Sequence, residues 1–290
     1  MDFPNYLDRA WADHANDPAA VAARLPEGLA LIADDGDVAR LANLAHHVLG
    51  EHLGSWLDRI QWMERLAQHP RCVADGRGGE TVRRCTASLL LASGSGDPRE
   101  ALGPSDRIRV TAMAAGSLAS RDEERALGLF QDALALADAS GLDATDPMNR
   151  ALAITANNLA LALETAAERS RRQTELMLVA ARAARRYWER AGTWLETERA
   201  EYRLAMSCLA AGDIDQARRH AAECLRIVTA HGADAVERFF AWEATGRVER
   251  AAGDRAACER ALAAMEEMLA GIGDAADRAW CMESLTSLRG

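Results

Sequence analysis

"AEYRLAMSCLAAGDIDQARRHAAECL", residues 200–225, holds two helix-forming segments around a Gly212-Asp213 break. Leu204, Ala205 and Cys208 fall on one stripe of the first segment, and Ala217, Ala221 and Cys224 on one stripe of the second, because residues three and four apart share a helix face. Small residues on such stripes let two helices approach closely. "WEATGRVERAAGDRAACERALAAM", residues 242–265, repeats the pattern with Trp242, Thr245, Gly246 and Glu249, a Gly253-Asp254 break, then Cys258, Leu262 and Met265. Gly212 to Gly253 is 41 residues, and so is Ala205 to Gly246. Two matched intervals indicate a repeated helix-turn-helix unit, although Leu262 is large where Ala221 is small.

Other copies extend the array. "ERALGLFQDALALADASG" (124–141) places Ala126, Phe130 and Ala133 on one stripe, and "DRIRVTAMAAGSLASRD" just upstream offers Val110, Met113, Ala114 and Ser117 as its partner. "ANNLALALETA" repeats the unit around Leu159 and Ala160, 45 residues before Leu204 and Ala205. "LANLAHHVLGEHLGSWLDRIQWMERL" (41–66) is a diverged earlier copy.

These residues resemble the tetratricopeptide repeat family, whose pattern is W-x2-L-G-x2-Y, then A-x3-F, then P. Trp242 and Gly246 match the opening; Ala126, Phe130 and Ala133 match the second helix. Glu249 stands in the Tyr slot, the closing Pro is missing, and a spacing of 41–46 residues exceeds the usual 34 of the family. In this it looks like the long-helix variety found in sensor regions of large bacterial transcriptional activators. The resemblance is good over 105–271 and weak before. It implies an all-α superhelix, a TPR-like solenoid of about six antiparallel helix pairs, and specifies function hardly at all.

The pattern predicts helices over 5–15, 19–33, 37–53, 55–68 and 79–93. Pairs follow at 105–119 with 122–139, 148–167 with 171–191, 194–211 with 214–230, and 236–252 with 254–271. A capping helix over 274–288 would cover the last pair. The whole chain, 1–290, is expected to form one solenoid domain. The Gly-, Ser- and Pro-rich stretch 92–106 is its candidate hinge, standing where a second helix of a truncated pair would be.

Composition narrows the function classes. Apolar residues are 49% of the chain but aromatics only 5%, so Ala and Leu dominate, and both favour helix. All seven Pro lie at or before Pro147. All 34 basic residues are Arg. Without Lys there is no Schiff-base pyridoxal enzyme, no P-loop and no kinase lysine. A net charge of −10 argues against bulk nucleic-acid binding. The acidic start lacks a signal-peptide core, and no run is long enough to span a membrane. The six Cys show no C-x-x-C spacing and read as reduced thiols of a cytoplasmic protein.

No site of chemistry stands out. His46, His47 and His52 form an H-H-x4-H cluster, but five residues on an α-helix put His47 and His52 about 140° apart. They read as packed or solvated histidines, so no metal is expected. "GRGGE" (76–80) lacks the G-x-G-x-x-G phosphate fingerprint and a preceding strand. There is no G-x-S-x-G, carboxylates sit on polar faces where they are solvated by default, and neither catalytic residues nor a cofactor is expected.

Two binding surfaces are expected instead. In the fold implied by the resemblance, first helices line a concave groove. One step past each small slot, or three before it, turns toward that groove. The rule selects Asn157, Leu161 and Glu164, then Tyr202, Met206 and Leu209, then Glu243, Arg247 and Arg250, with Thr111 and Arg107 in the earlier copy. Asn can donate to and accept from a peptide backbone, and Arg can clamp a carboxylate. Related peptide-binding repeat proteins use groove Asn in this way. The second surface lies in 169–190, which holds seven Arg against two Glu. There Arg182, Arg186 and Arg190 form a stripe, either solvated or docking an acidic partner, with Tyr187 and Trp188 as neighbouring anchors. The expected function is a non-catalytic adaptor, scaffold or regulator that binds a peptide or protein. The alternatives are a small-molecule sensor of a signalling or transcription system, or an accessory subunit of an enzyme.

Overall fold

Aspartates start most of the helices. The computed structural model describes residues 1–54 and 56–290, the side chains at 57–59 excepted. Its described residues are helical with no strand. They form two compact units, 1–148 and 149–290.

The first unit contains α1 (Phe3–Asp13), α2 (Pro18–Leu31), α3 (Asp35–Ala45), α4 (Trp56–Ala67), α5 (Arg77–Ser93), α6 (Pro104–Leu118) and α7 (Glu123–Ala139). The predicted start of α4, Ser55, lies outside the described residues. Asp2, Asp17, Asp34 and Asp122 each accept a backbone N–H in the first turn of the helix that follows, satisfying donors that the helix itself leaves unpaired. The core gathers Phe3, Tyr6, Leu25, Leu41, Leu44, Met63 and Leu89. Asp35 accepts from the Val73 and Gly78 amides at 2.8 Å each. Those backbone donors, Gly78 first, hold its carboxyl below the ordinary range. The stretch 92–106 lies inside this unit and contains one short 3-10 turn, Pro98–Ala101.

The α-helix expected over 37–53 does not run its full length. The α-helix stops at Ala45, and His46–Leu53 continues as a π-helix. Its wider turn bonds residue i to i+5 and brings residues five apart closer around the axis than an α-helix does.

α8 (Pro147–Glu164) enters the second unit, which continues with α9 (Arg171–Ala191), α10 (Trp194–Ala210), α11 (Ile214–Ala230), α12 (Ala235–Ala252), α13 (Arg255–Ala270) and α14 (Ala275–Arg289). Neighbours pack as pairs, α10 on α11 and α12 on α13, with α14 against both α12 and α13. The two Gly-Asp breaks work alike. Gly212 and Gly253 take left-handed φ values of 79° and 76°, which favour glycine. Asp213 and Asp254 then cap α11 and α13. All six cysteines of the chain are free thiols. No helix among the described residues is long and apolar enough to cross a membrane.

Candidate partner-binding face

Residues at the same position in successive 41-residue repeats occupy the same place on successive first helices, and side-chain chemistry in the second unit makes that register visible. Tyr202 on α10, Glu243 on α12 and Ser284 on α14 lie 41 residues apart. The Tyr202 hydroxyl donates to Glu243 Oε2 at 2.7 Å, and the Ser284 hydroxyl donates to Glu243 Oε1. Arg247, one turn on, donates from Nε to Oε1 at 2.8 Å. Glu243 is only 1% exposed, and an ionised carboxylate so placed needs this set of donors. Burial pushes the Tyr202 phenol up, and the facing Glu243 carboxylate pushes it further. For Arg247, burial works against the charge, but Glu243 more than offsets it and the guanidinium is held above its ordinary range.

A second bridge ties α8 to α10. Arg203 donates to Glu164 Oε1 at 2.8 Å, and Ser207 donates to Oε2 at 3.3 Å. Arg250 turns to the end of α14 and donates to the Leu288 carbonyl at 2.9 Å, satisfying a terminal acceptor. Four of the expected groove residues, Glu164, Tyr202, Glu243 and Arg250, thus stitch neighbouring helices together, while Arg247 pairs with Glu243 within α12. Met206 is buried and Leu209 half-buried.

The open part of this face is on α8. Asn157 is half-buried, and its Nδ2 makes a long 3.4 Å bond to the adjacent Asn158 Oδ1. Leu161 and Ile154 are 38% and 42% exposed. Ile154, Asn157 and Leu161 are three and four residues apart, one stripe in which an amide sits between two exposed apolar side chains. Ile154 escaped the sequence rule, which counted from the small slot and stopped a turn short. At the other edge, Trp280 on α14 is 57% exposed and lies on Phe240, ring centroids 4.3 Å apart. Phe240 meets Tyr202 edge-on at 6.5 Å.

The earlier copy belongs to the first unit and is differently engaged. Thr111 is fully buried, with its hydroxyl donating to the Arg107 carbonyl at 2.7 Å. The Arg107 guanidinium donates to the carbonyls of Arg99 and Leu102 and so holds the 3-10 turn.

Arg182, Arg186 and Arg190 are all exposed on α9. Their expected aromatic anchors are placed otherwise. Tyr187 is fully buried, with the Arg186 and Arg190 guanidinium groups 5.4 and 5.3 Å from its ring centroid. Trp188 is half-buried with Arg150 over it at 5.0 Å.

Carboxylates are not all solvated, because Glu198, Glu201, Glu243 and Glu249 are buried. Glu198 is the extreme case. It is 1% exposed, its Oε1 has no hydrogen-bond partner among the described residues, and burial followed by repulsion from Glu237 pushes its carboxyl up to about 8. The histidine cluster also changes membership. His46 turns inward to Ser88, 3.1 Å from Nε2 to Oγ, while His47 and His52 meet at 3.2 Å between their Nε2 atoms.

Comparison with protein-family models finds no match, and comparison with curated proteins finds none.

Proposed function

We propose that the second unit is a TPR-like, non-catalytic binding module that holds an extended segment of a partner protein against α8, α10 and α12, in an adaptor or regulatory role. The observation that carries this reading is the exposed Ile154–Asn157–Leu161 stripe beside a row of helices cross-linked by buried hydrogen bonds. An extended chain leaving water needs partners for its amides. Asn157 offers both a donor and an acceptor, and the flanking Ile and Leu offer apolar contact. The Glu243 and Glu164 bridges keep the helices fixed, so little order has to be gained on binding. Six free thiols fit a cytoplasmic setting.

The test is selection of extended peptides from a displayed library on the full chain, followed by hydrogen-exchange mapping with the selected peptide. Protection centred on α8 and α10 supports the reading. Protection confined to α9 would move the site to the Arg182–Arg186–Arg190 stripe, and selection of no peptide would count against the module altogether.

A further inference from the structure

Three of the seven imidazoles converge in the first unit, although 33 residues separate His14 from His47. His14 follows the last turn of α1, and His47 and His52 belong to the π-helix. One ring nitrogen from each lies within 4.8 Å of the others. His47 Nε2 and His52 Nε2 are 3.2 Å apart. The π-helix is the reason, since residues five apart stand far around an α-helix but come closer together on its wider turn.

The surrounding groups aim the lone pairs inward. His14 Nδ1 is 2.5 Å from the Trp11 carbonyl, which can only accept, so Nδ1 carries the proton and Nε2 is free to ligate. His47 Nδ1 is 2.6 Å from Glu51 Oε2, with the same consequence for its Nε2. The carbonyl behind His14 and the carboxylate behind His47 are the usual support of metal-ligating histidines, and His52 faces them with its Nε2 toward that of His47. Arg121 donates to the Glu51 and His52 carbonyls at 3.0 and 2.8 Å, fixing the backbone under the cluster. Gly54 ends the segment at φ 68°, and a Cβ there would collide with the Arg121 guanidinium.

We propose that His14, His47 and His52 bind one zinc ion, leaving a coordination position open to water or a further ligand. Two tetrahedral nitrogen ligands at 2.0–2.1 Å from zinc stand about 3.3 Å apart, which the His47–His52 pair already matches. The widest remaining gap closes by up to about 1.5 Å, a rotation available to His14 at a helix end. An all-imidazole set selects zinc or a neighbouring transition metal over magnesium or calcium. The ion would clamp the end of α1 to the π-helix, so occupancy would be linked to the stability of the first unit. The proposal is independent of the peptide-binding reading.

The experiment is calorimetric titration of the metal-stripped full chain with zinc chloride, with cobalt absorption as a geometry probe. One equivalent should bind, and His14→Gln and His52→Gln should each weaken it at least tenfold with an unchanged circular dichroism spectrum. His69→Gln, outside the cluster, should retain it. Zinc should raise the melting temperature of the wild type but not of His14→Gln. X-ray absorption of the zinc-loaded wild type, which needs no variant to fold, should show nitrogen and oxygen ligands only. Absence of stoichiometric uptake, undiminished uptake in both variants, or sulfur in the zinc shell would overturn the proposal.

Discussion

Replacing Glu243 by Ala removes an acceptor shared by α10, α12 and α14. Tyr202 and Ser284 lose a charged acceptor, and each such hydrogen bond contributes about 1.5–3 kcal/mol. Arg247 loses its buried counter-charge, though with its side chain 30% exposed it is partly rehydrated. Removing one partner of a buried ion pair costs about 3–5 kcal/mol, and the three losses overlap because they meet at one carboxylate. We therefore expect Glu243→Ala to cost about 3–5 kcal/mol in the second unit. Glu243→Gln keeps the shape and part of the acceptor capacity, and should cost about 1–3 kcal/mol. Urea unfolding followed by far-UV circular dichroism and tryptophan fluorescence measures both. A double-mutant cycle with Tyr202→Phe should show coupling, since the two side chains touch. A loss below about 0.5 kcal/mol in Glu243→Ala, within the range of an ordinary surface substitution, would refute the claim that this row ties the repeats together.

Further outcomes follow from other contacts. Glu198 stays protonated in the folded state up to about pH 8, whereas its ordinary value is 4.5. The folded chain thus holds the extra proton in that window and its stability falls as pH rises through it. Glu198→Gln should flatten this slope and raise the melting temperature at pH 8, and parallel pH profiles for variant and wild type would contradict it. Gly246→Trp meets Leu288 and Ala261, and Ala126→Trp fills a fully buried slot. Overpacking costs about 1–3 kcal/mol or more, so two unchanged melting temperatures would show the packing stripe to be misplaced. Changing Arg182, Arg186 and Arg190 to Glu should cost about 1 kcal/mol or less per pair disturbed. If the stripe docks acidic partners, the change should abolish salt-sensitive association with poly-glutamate, and undiminished association would return the stripe to a solvated face.

Helix positions were legible because their ends are written in short-range chemistry. Asp213, Asp254 and Asp274 at N-caps, Ser170 and Thr193 in capping boxes, and Gly212 and Gly253 at left-handed turns need no knowledge of the fold. The 41-residue period likewise anticipated which residues share a face, and the Tyr202–Glu243–Ser284 bonds follow that register. It could not say whether a residue on that face meets solvent or its own counterpart one repeat away. Arg247 and Arg250 carry the charge expected of a groove, but their partners are Glu243 and the end of α14. The π-helix at His46–Leu53 has no sequence signature, so the α-helical angle between His47 and His52 does not hold there. His14 joins that cluster from a different helix, a long-range contact that no local spacing encodes.

The proposed reception of an extended polypeptide by Asn157 and its apolar neighbours is tested most directly by calorimetric titration of a selected peptide against the wild type, Asn157→Ala and Leu161→Ser, with thermal melts alongside. Among the described residues the Asn157 side chain bonds only the adjacent Asn158, at 3.4 Å, and Ala is the better helix former, so the fold should be unchanged or slightly steadier. Loss of a buried hydrogen bond costs about 1–3 kcal/mol, so Asn157→Ala should weaken the peptide roughly five- to a hundredfold, with Leu161→Ser weakening it as well. Unaltered affinity in both variants would contradict the claim, and so would a loss of affinity matched by a large drop in melting temperature, which would make Asn157 a structural residue.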